Sequence, residues 1–111
     1  TENGQTRKRW YADDLTLEEV KRLDAGSWFD PAYAGARVAT FQEAIDLVKG
    51  RAGIFPELKG PERLRAKGLS LEDAVVAALQ KNGLTDATLR GRPAVLLQSF
   101  EEQSLRTLAT R

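Results

Sequence analysis

The chain contains no histidine, no cysteine and no methionine in 111 residues. Without cysteine it holds neither a disulfide nor a thiolate metal site, and this leaves its redox compartment open. Without histidine it lacks the side chain most used as a general acid or base near neutral pH. Hydrolysis by a histidine pair or a serine triad is therefore excluded for these residues alone. A surplus of charge is missing as well: 17 basic residues stand against 16 acidic ones, a net +1. Such a balance offers no broad field for gathering nucleic acid or an anionic membrane. No apolar run approaches the ~20 residues of a membrane helix, and the start shows no signal-peptide pattern. The expectation is a soluble chain with no membrane span, its location, cytoplasmic or exported, unknown. The length suits one domain rather than two, and a chain with this charge balance is not compositionally disordered.

What is present is a helix-start signal, repeated four times: Thr16-Leu17-Glu18-Glu19, Thr40-Phe41-Gln42-Glu43, Ser70-Leu71-Glu72-Asp73 and Ser99-Phe100-Glu101-Glu102. Each sets a hydroxyl where it can accept a bond from a free helix N–H, with a carboxylate three residues on to reciprocate. After Thr40, Phe41, Ala44, Ile45 and Val48 form one apolar helical face, and Gly50 can end it; after Ser70, Leu71, Ala74, Val75, Ala78 and Leu79 do the same up to Asn82-Gly83. Leu17, Val20 and Leu23 mark a shorter helix after Thr16, and Leu105, Leu108 and Ala109 mark one after Ser99.

Two apolar stretches of strand length lie between these helices, 52–59 (Ala-Gly-Ile-Phe-Pro-Glu-Leu-Lys) and 94–98 (Ala-Val-Leu-Leu-Gln). Both are bounded by Gly or Pro and neither alternates cleanly, which suits parallel strands covered on both faces. The last three helix starts are 30 and 29 residues apart, the length of a βα unit. The fold class expected is α/β, with about four helices and two parallel strands. Two strands close neither a barrel nor a doubly wound sheet, so the sheet is expected to be incomplete. Residues 1–39 read as a connector region with one short helix, and residues 40–111 as the βα-unit region.

The end of the first strand carries the densest chemistry. Side chains alternate along a strand, so Glu57 and Lys59 share one face while Ile54, Pro56 and Leu58 share the other. A carboxylate oxygen suits a hard divalent cation, and a lysine is a point charge suited to phosphate. On spacing alone, a solvated ion pair at a strand end is the commoner outcome. In the loop Ser27-Trp28-Phe29-Asp30-Pro31, the two aromatics either line a pocket or plug the loop onto the core. At the end of the second strand Gln98 can reach a ligand, while Ser99 is expected to cap the helix and Phe100 to pack. The run Arg7-Lys8-Arg9 beside Trp10 is a weak nucleic-acid signal and more often a solvated strip, so no nucleic-acid partner is expected.

Residues Leu15 to Phe29, then Arg37 to Ala44, Gly53 to Lys59 and Leu96 to Glu101, closely resemble the glycerophosphodiester phosphodiesterase family in order and spacing. The resemblance implies a TIM (β/α)8 barrel hydrolase that uses Ca²⁺ or Mg²⁺ to cleave glycerophosphodiesters into glycerol 3-phosphate and an alcohol. It implies that Glu57 is a metal ligand and that Lys59 is a catalytic group contacting the phosphate. It further implies that residues 1–39 belong to the family's small insertion, with Trp28 and Phe29 flanking the glycerol, and that Gln98 reaches the substrate. The family's His-Arg and Glu-x-Asp motifs and its second histidine have no counterpart here. By resemblance this is then the central piece of a barrel of ~250 residues, inactive alone and requiring the remainder of the barrel. The competing expectation is a non-catalytic α/β module that forms a homo-oligomer through open strand edges.

Overall fold

The computed structural model describes residues 10–111; the run Arg7-Lys8-Arg9 and most of the polar lead 1–12 lie outside the described residues. The chain forms two compact units, Thr1–Thr40 and Phe41–Arg111.

In the first unit, a 3₁₀ turn (Ala12–Asp14) precedes helix α1 (Leu17–Arg22), and a second 3₁₀ turn spans Pro31–Tyr33. The reciprocal cap expected at Thr16 is formed. The Glu19 N–H donates to Thr16 Oγ1 at 3.3 Å and the Thr16 N–H donates to Glu19 Oε2 at 2.7 Å. That peptide N–H holds the exposed Glu19 carboxyl below the usual glutamate range. The second turn starts with Pro31 at its first position and with the Asp30 carboxylate accepting the Ala32 N–H at 2.8 Å, since a proline fits where no donor is needed.

In the second unit, helices α2 (Phe41–Val48) and α4 (Leu71–Lys81) form where periodicity places them, although Ala44 and Ala74 of the expected faces are exposed. Ile45 and Leu79 are buried with Leu84, and Phe41, Ile54, Val75, Ala78, Ala87, Val95 and Leu97 pack on them. Gln42 and Asn82 tie the two helices with a reciprocal pair of amide bonds, 3.0 and 2.9 Å. The Ser70 cap forms as expected, its oxygen accepting the Asp73 N–H at 3.1 Å. Helix α3 (Pro61–Ala66), not anticipated, begins with Pro61 at its first position; Gly-Pro-Glu at 60–62 is its sequence signal.

The last helix differs from expectation. Helix α5 spans Glu102–Leu108 with Glu101, not Ser99, as its cap residue. Ser99 is occupied elsewhere: its hydroxyl donates to the Leu58 carbonyl, 41 residues away in the chain. Its oxygen still accepts locally, but from the Glu101 N–H rather than from Glu102.

The stretches expected as parallel strands do pair in parallel, Ile54 opposite Val95 and Glu57 opposite Gln98, but as separate bridges rather than a regular ladder. The Ile54 N–H donates to the Ala94 carbonyl (2.9 Å), Leu96 to Ile54 (3.0 Å), Gln98 to Pro56 (3.1 Å) and Leu58 to Gln98 (2.8 Å). The missing rung is the one Pro56 would donate, because proline has no N–H. Among the described residues the regular sheet is a short antiparallel hairpin instead, β1 (Thr88–Leu89) with β2 (Arg92–Pro93). Its two-residue turn holds Arg90 at φ 53° and Gly91 at φ 75°, the positive pair that a tight hairpin demands. Arg-Gly is a weaker turn signal than Asn-Gly, which is why the hairpin was not legible.

Candidate functional site

The register that sets Glu57 opposite Gln98 puts both side chains on one face of the paired segments. The same alternation sends Ile54, Val95 and Leu97 into the core and Leu58, 3% exposed, with them. Phe55 and Leu96 fall on the Glu57 face, and both are exposed. That face is thus apolar along the strands and polar at their C-terminal end, where Glu57, Lys59 and Gln98 are gathered.

Lys59 Nζ stands 3.5 Å from Glu57 Oε2, with Lys59 79% exposed and Glu57 21% exposed. The alternation therefore places the two charges together, as expected. The ammonium is free to turn toward a bound anion, whereas the carboxylate is mostly sheltered beside Gln98. Among the described residues no group of three or more Asp, Glu, His or Cys side chains could hold a metal ion. Glu57 fits a hard cation as one oxygen ligand, while Mg²⁺ takes six ligands and Ca²⁺ six to eight. The remaining ligands of any such site would come from outside this set.

Trp28 and Phe29 belong to the first unit, in a loop whose organiser the sequence reading missed. The Asp24 carboxylate accepts three peptide N–H bonds: Gly26 at 3.0 Å, Ser27 at 2.7 Å and Gly35 at 2.7 Å. Gly26 is fixed by close approach, since a Cβ there would lie 2.2 Å from the Tyr33 carbonyl oxygen. Trp28 and Phe29 meet edge to face with centroids 5.9 Å apart, and Phe29 lies 5.8 Å from Tyr33. The Trp28 indole N–H donates to the Ala25 carbonyl at 2.9 Å. The three rings are exposed, so they stack on one another rather than plugging a core. Asp-x-Gly-Ser is the local signal that could have revealed this turn.

The Gly35 N–H first, then Ser27 and Gly26, hold the Asp24 carboxyl well below the ordinary aspartate value. A lowered folded value means that the clamp is present above the ordinary value and is lost only as pH falls through the lowered one. Trp28 emission is therefore expected to stay constant from neutrality down through about pH 4, where a free aspartate titrates. Asp24→Ala should speed hydrogen exchange of the Gly26, Ser27 and Gly35 amides on the order of tenfold or more, since charge-assisted bonds are lost. Unchanged exchange at Gly35 would show that the clamp does not hold the loop.

A second charged cluster, also absent from the sequence reading, backs the strand end. Glu72, 1% exposed, accepts from Arg65 Nη1 at 2.5 Å, and Arg65 Nη2 lies 3.7 Å from Glu101 Oε2. Glu101 Oε2 also accepts the Glu62 N–H at 2.9 Å, which joins α5 to the start of α3. Burial raises the Glu72 pKa. The Glu72 peptide N–H, the Ser104 hydroxyl buried alongside though short of strict hydrogen-bond geometry, and the Arg65 guanidinium outweigh it. The carboxyl thus sits below the usual glutamate range.

The glycerophosphoryl diester phosphodiesterase family model matches residues 1–111. A glycerophosphodiester phosphodiesterase of Bacillus subtilis is 34% identical over 104 residues, covering 86% of this chain and 33% of that protein. One from Caldanaerobacter subterraneus is 28% identical over 107 residues, covering 96% of this chain and 40% of that protein. The chain spans about a third to two-fifths of the length of these relatives.

Proposed function

The chain belongs to the glycerophosphoryl diester phosphodiesterase family, and from that premise we propose that it is part of an enzyme hydrolysing glycerophosphodiesters to glycerol 3-phosphate and an alcohol. The observation that carries the reading is the convergence of Glu57, Lys59 and Gln98 at one end of two parallel segments, on the face turned away from the core. In barrels of βα units the reactive groups stand at the C-terminal strand ends. The exposed Phe55 and Leu96 on the same face suit the interior of a barrel whose further strands lie outside these residues.

In this reading Glu57 supplies one anionic oxygen to a divalent cation, Ca²⁺ or Mg²⁺. Such a cation, when bound, draws charge from the phosphoryl oxygens. Lys59 leaves Glu57 for a phosphate oxygen, a short swing for a side chain this exposed, and adds a point charge as negative charge builds there. Gln98 offers an amide to hydroxyl or phosphoryl oxygens beside Glu57. The resemblance assigns Trp28 and Phe29, whose rings meet edge to face, to the glycerol part of the substrate. No imidazole is available to move a proton, so these residues alone carry no turnover.

The whole protein is expected to release glycerol 3-phosphate from glycerophosphocholine with Ca²⁺ or Mg²⁺ present, and to stop on chelation. The 111 residues alone should release none above background. No cation-dependent release by the whole protein would end the proposal; turnover by the 111 residues would end its second part.

A further inference from the structure

The Leu58 carbonyl is held by a side chain at the point where the strand ladder would supply a peptide. Along the paired segments the donors advance by two residues: the Leu96 N–H meets the Ile54 carbonyl and the Gln98 N–H meets the Pro56 carbonyl. One further step would bring the Phe100 N–H to the Leu58 carbonyl. The chain leaves the ladder instead, and Ser99 Oγ donates to that carbonyl at 3.0 Å. The same hydroxyl oxygen accepts the Glu101 N–H at 3.1 Å.

The consequence falls on the two residues beside Leu58. Its N–H is bound to the Gln98 carbonyl at 2.8 Å and its carbonyl to Ser99, so the peptide groups on both sides of its Cα are fixed. Those peptides link directly to Glu57 and Lys59, and the Leu58 side chain is buried beneath them. Ser99 is braced in turn, because Glu101 holds the Glu62 N–H at 2.9 Å and faces Arg65, the partner of the buried Glu72. The serine thus stands in for a missing rung while letting the chain turn into α5.

We infer that Ser99 is a positioning residue for the candidate centre: its hydroxyl sets the orientation in which Glu57 and Lys59 meet cation and phosphate. This rests on the phosphodiesterase reading, and Ser99 itself touches neither ligand. Groups that orient a metal ligand from behind usually change metal affinity 10- to 100-fold when removed, so a single hydroxyl acting through the backbone is placed at about tenfold.

The test uses the whole protein, with Mg²⁺ and Ca²⁺ titrated by calorimetry and kcat and KM measured separately. Ser99→Ala is expected to weaken cation binding about tenfold and to lower kcat/KM with it, while Ser99→Thr, which keeps the hydroxyl, stays within about twofold of the parent. Ser99→Cys, close in shape but a weak donor, should fall between them, and it serves if the alanine variant fails to fold. Lower thermal stability with cation affinity and KM unchanged would overturn the inference, and so would an alanine-like result for Ser99→Thr. Glu57→Gln separates the two levels. If it weakens cation binding and Ser99→Ala does not, the positioning role alone fails; if neither does, the reading beneath it fails.

Discussion

Glu57→Gln in the whole protein is expected to lower cation-dependent hydrolysis of glycerophosphocholine about 10²–10³-fold, the scale found when one preorganised electrostatic group is removed from a reaction centre. The substitution keeps shape but replaces an anionic acceptor oxygen, which suits a hard cation, with a neutral amide donor. Two features of Glu57 make the result interpretable. Its ion pair with Lys59 spans 3.5 Å, and Lys59 is 79% exposed, so losing the pair should change folding stability by less than ~1 kcal/mol. An unaltered melting temperature with collapsed turnover therefore assigns the loss to chemistry. Raising the cation concentration should recover part of the rate, because the affinity lost can be offset by mass action. An unchanged rate would leave Glu57 and Lys59 as a solvated ion pair and favour the assembly-module reading, checked in turn by light scattering.

Arg65→Ala is expected to destabilise the fold by about 2–3 kcal/mol, read from chemical denaturation. Removing one member of a fully buried ion pair costs roughly 3–5 kcal/mol, because the other charge is left without compensation. Glu72 is 1% exposed but Arg65 is 37% exposed, so water can partly replace the guanidinium and the lower figure applies. The pH dependence follows from the lowered Glu72 pKa. A depressed folded value contributes stability that is fully present above the unfolded value, 4.5, and is lost as pH falls through the folded one. The stability gap between parent and Arg65→Ala should therefore be widest near neutrality and should close in acid below the ordinary glutamate range. A gap that stays constant to low pH would show that Arg65 acts through packing of its stem, not through its charge.

Much of the fold was legible locally. Thr16 and Ser70 cap helices whose first N–H groups lie three residues away, and Ile45 and Leu79 fall on faces set by a period of 3.6. The alternation along 52–59 was enough to place Glu57 and Lys59 on one face. The parallel pairing of the 54–58 and 94–98 segments was legible too, but not its broken ladder, although Pro56 stood in view. Two stretches were missed for a different reason. The Arg90-Gly91 hairpin has no strong turn dipeptide, and α3 is short and lacks an apolar stripe. The resemblance pointed to the family on order and spacing, and the family model spans the whole chain.

The sequence by itself determined four of the five α-helices among the described residues, the core positions Ile45 and Leu79, and which strand end carries a carboxylate beside an ammonium. Each of these follows from interactions within about four residues, or from a fixed periodicity, and such signals are written along the chain. Only the tertiary structure decided that the Ser99 hydroxyl donates to the Leu58 carbonyl 41 residues away. The same holds for Glu101, which binds the Glu62 N–H across 39 residues, and for Glu72, buried against Arg65. A serine at a helix start and a glutamate in a first turn satisfy the local rules equally well whether exposed or buried. What separates the outcomes is the partner brought near by packing, because a buried polar group must find one and an exposed one has water.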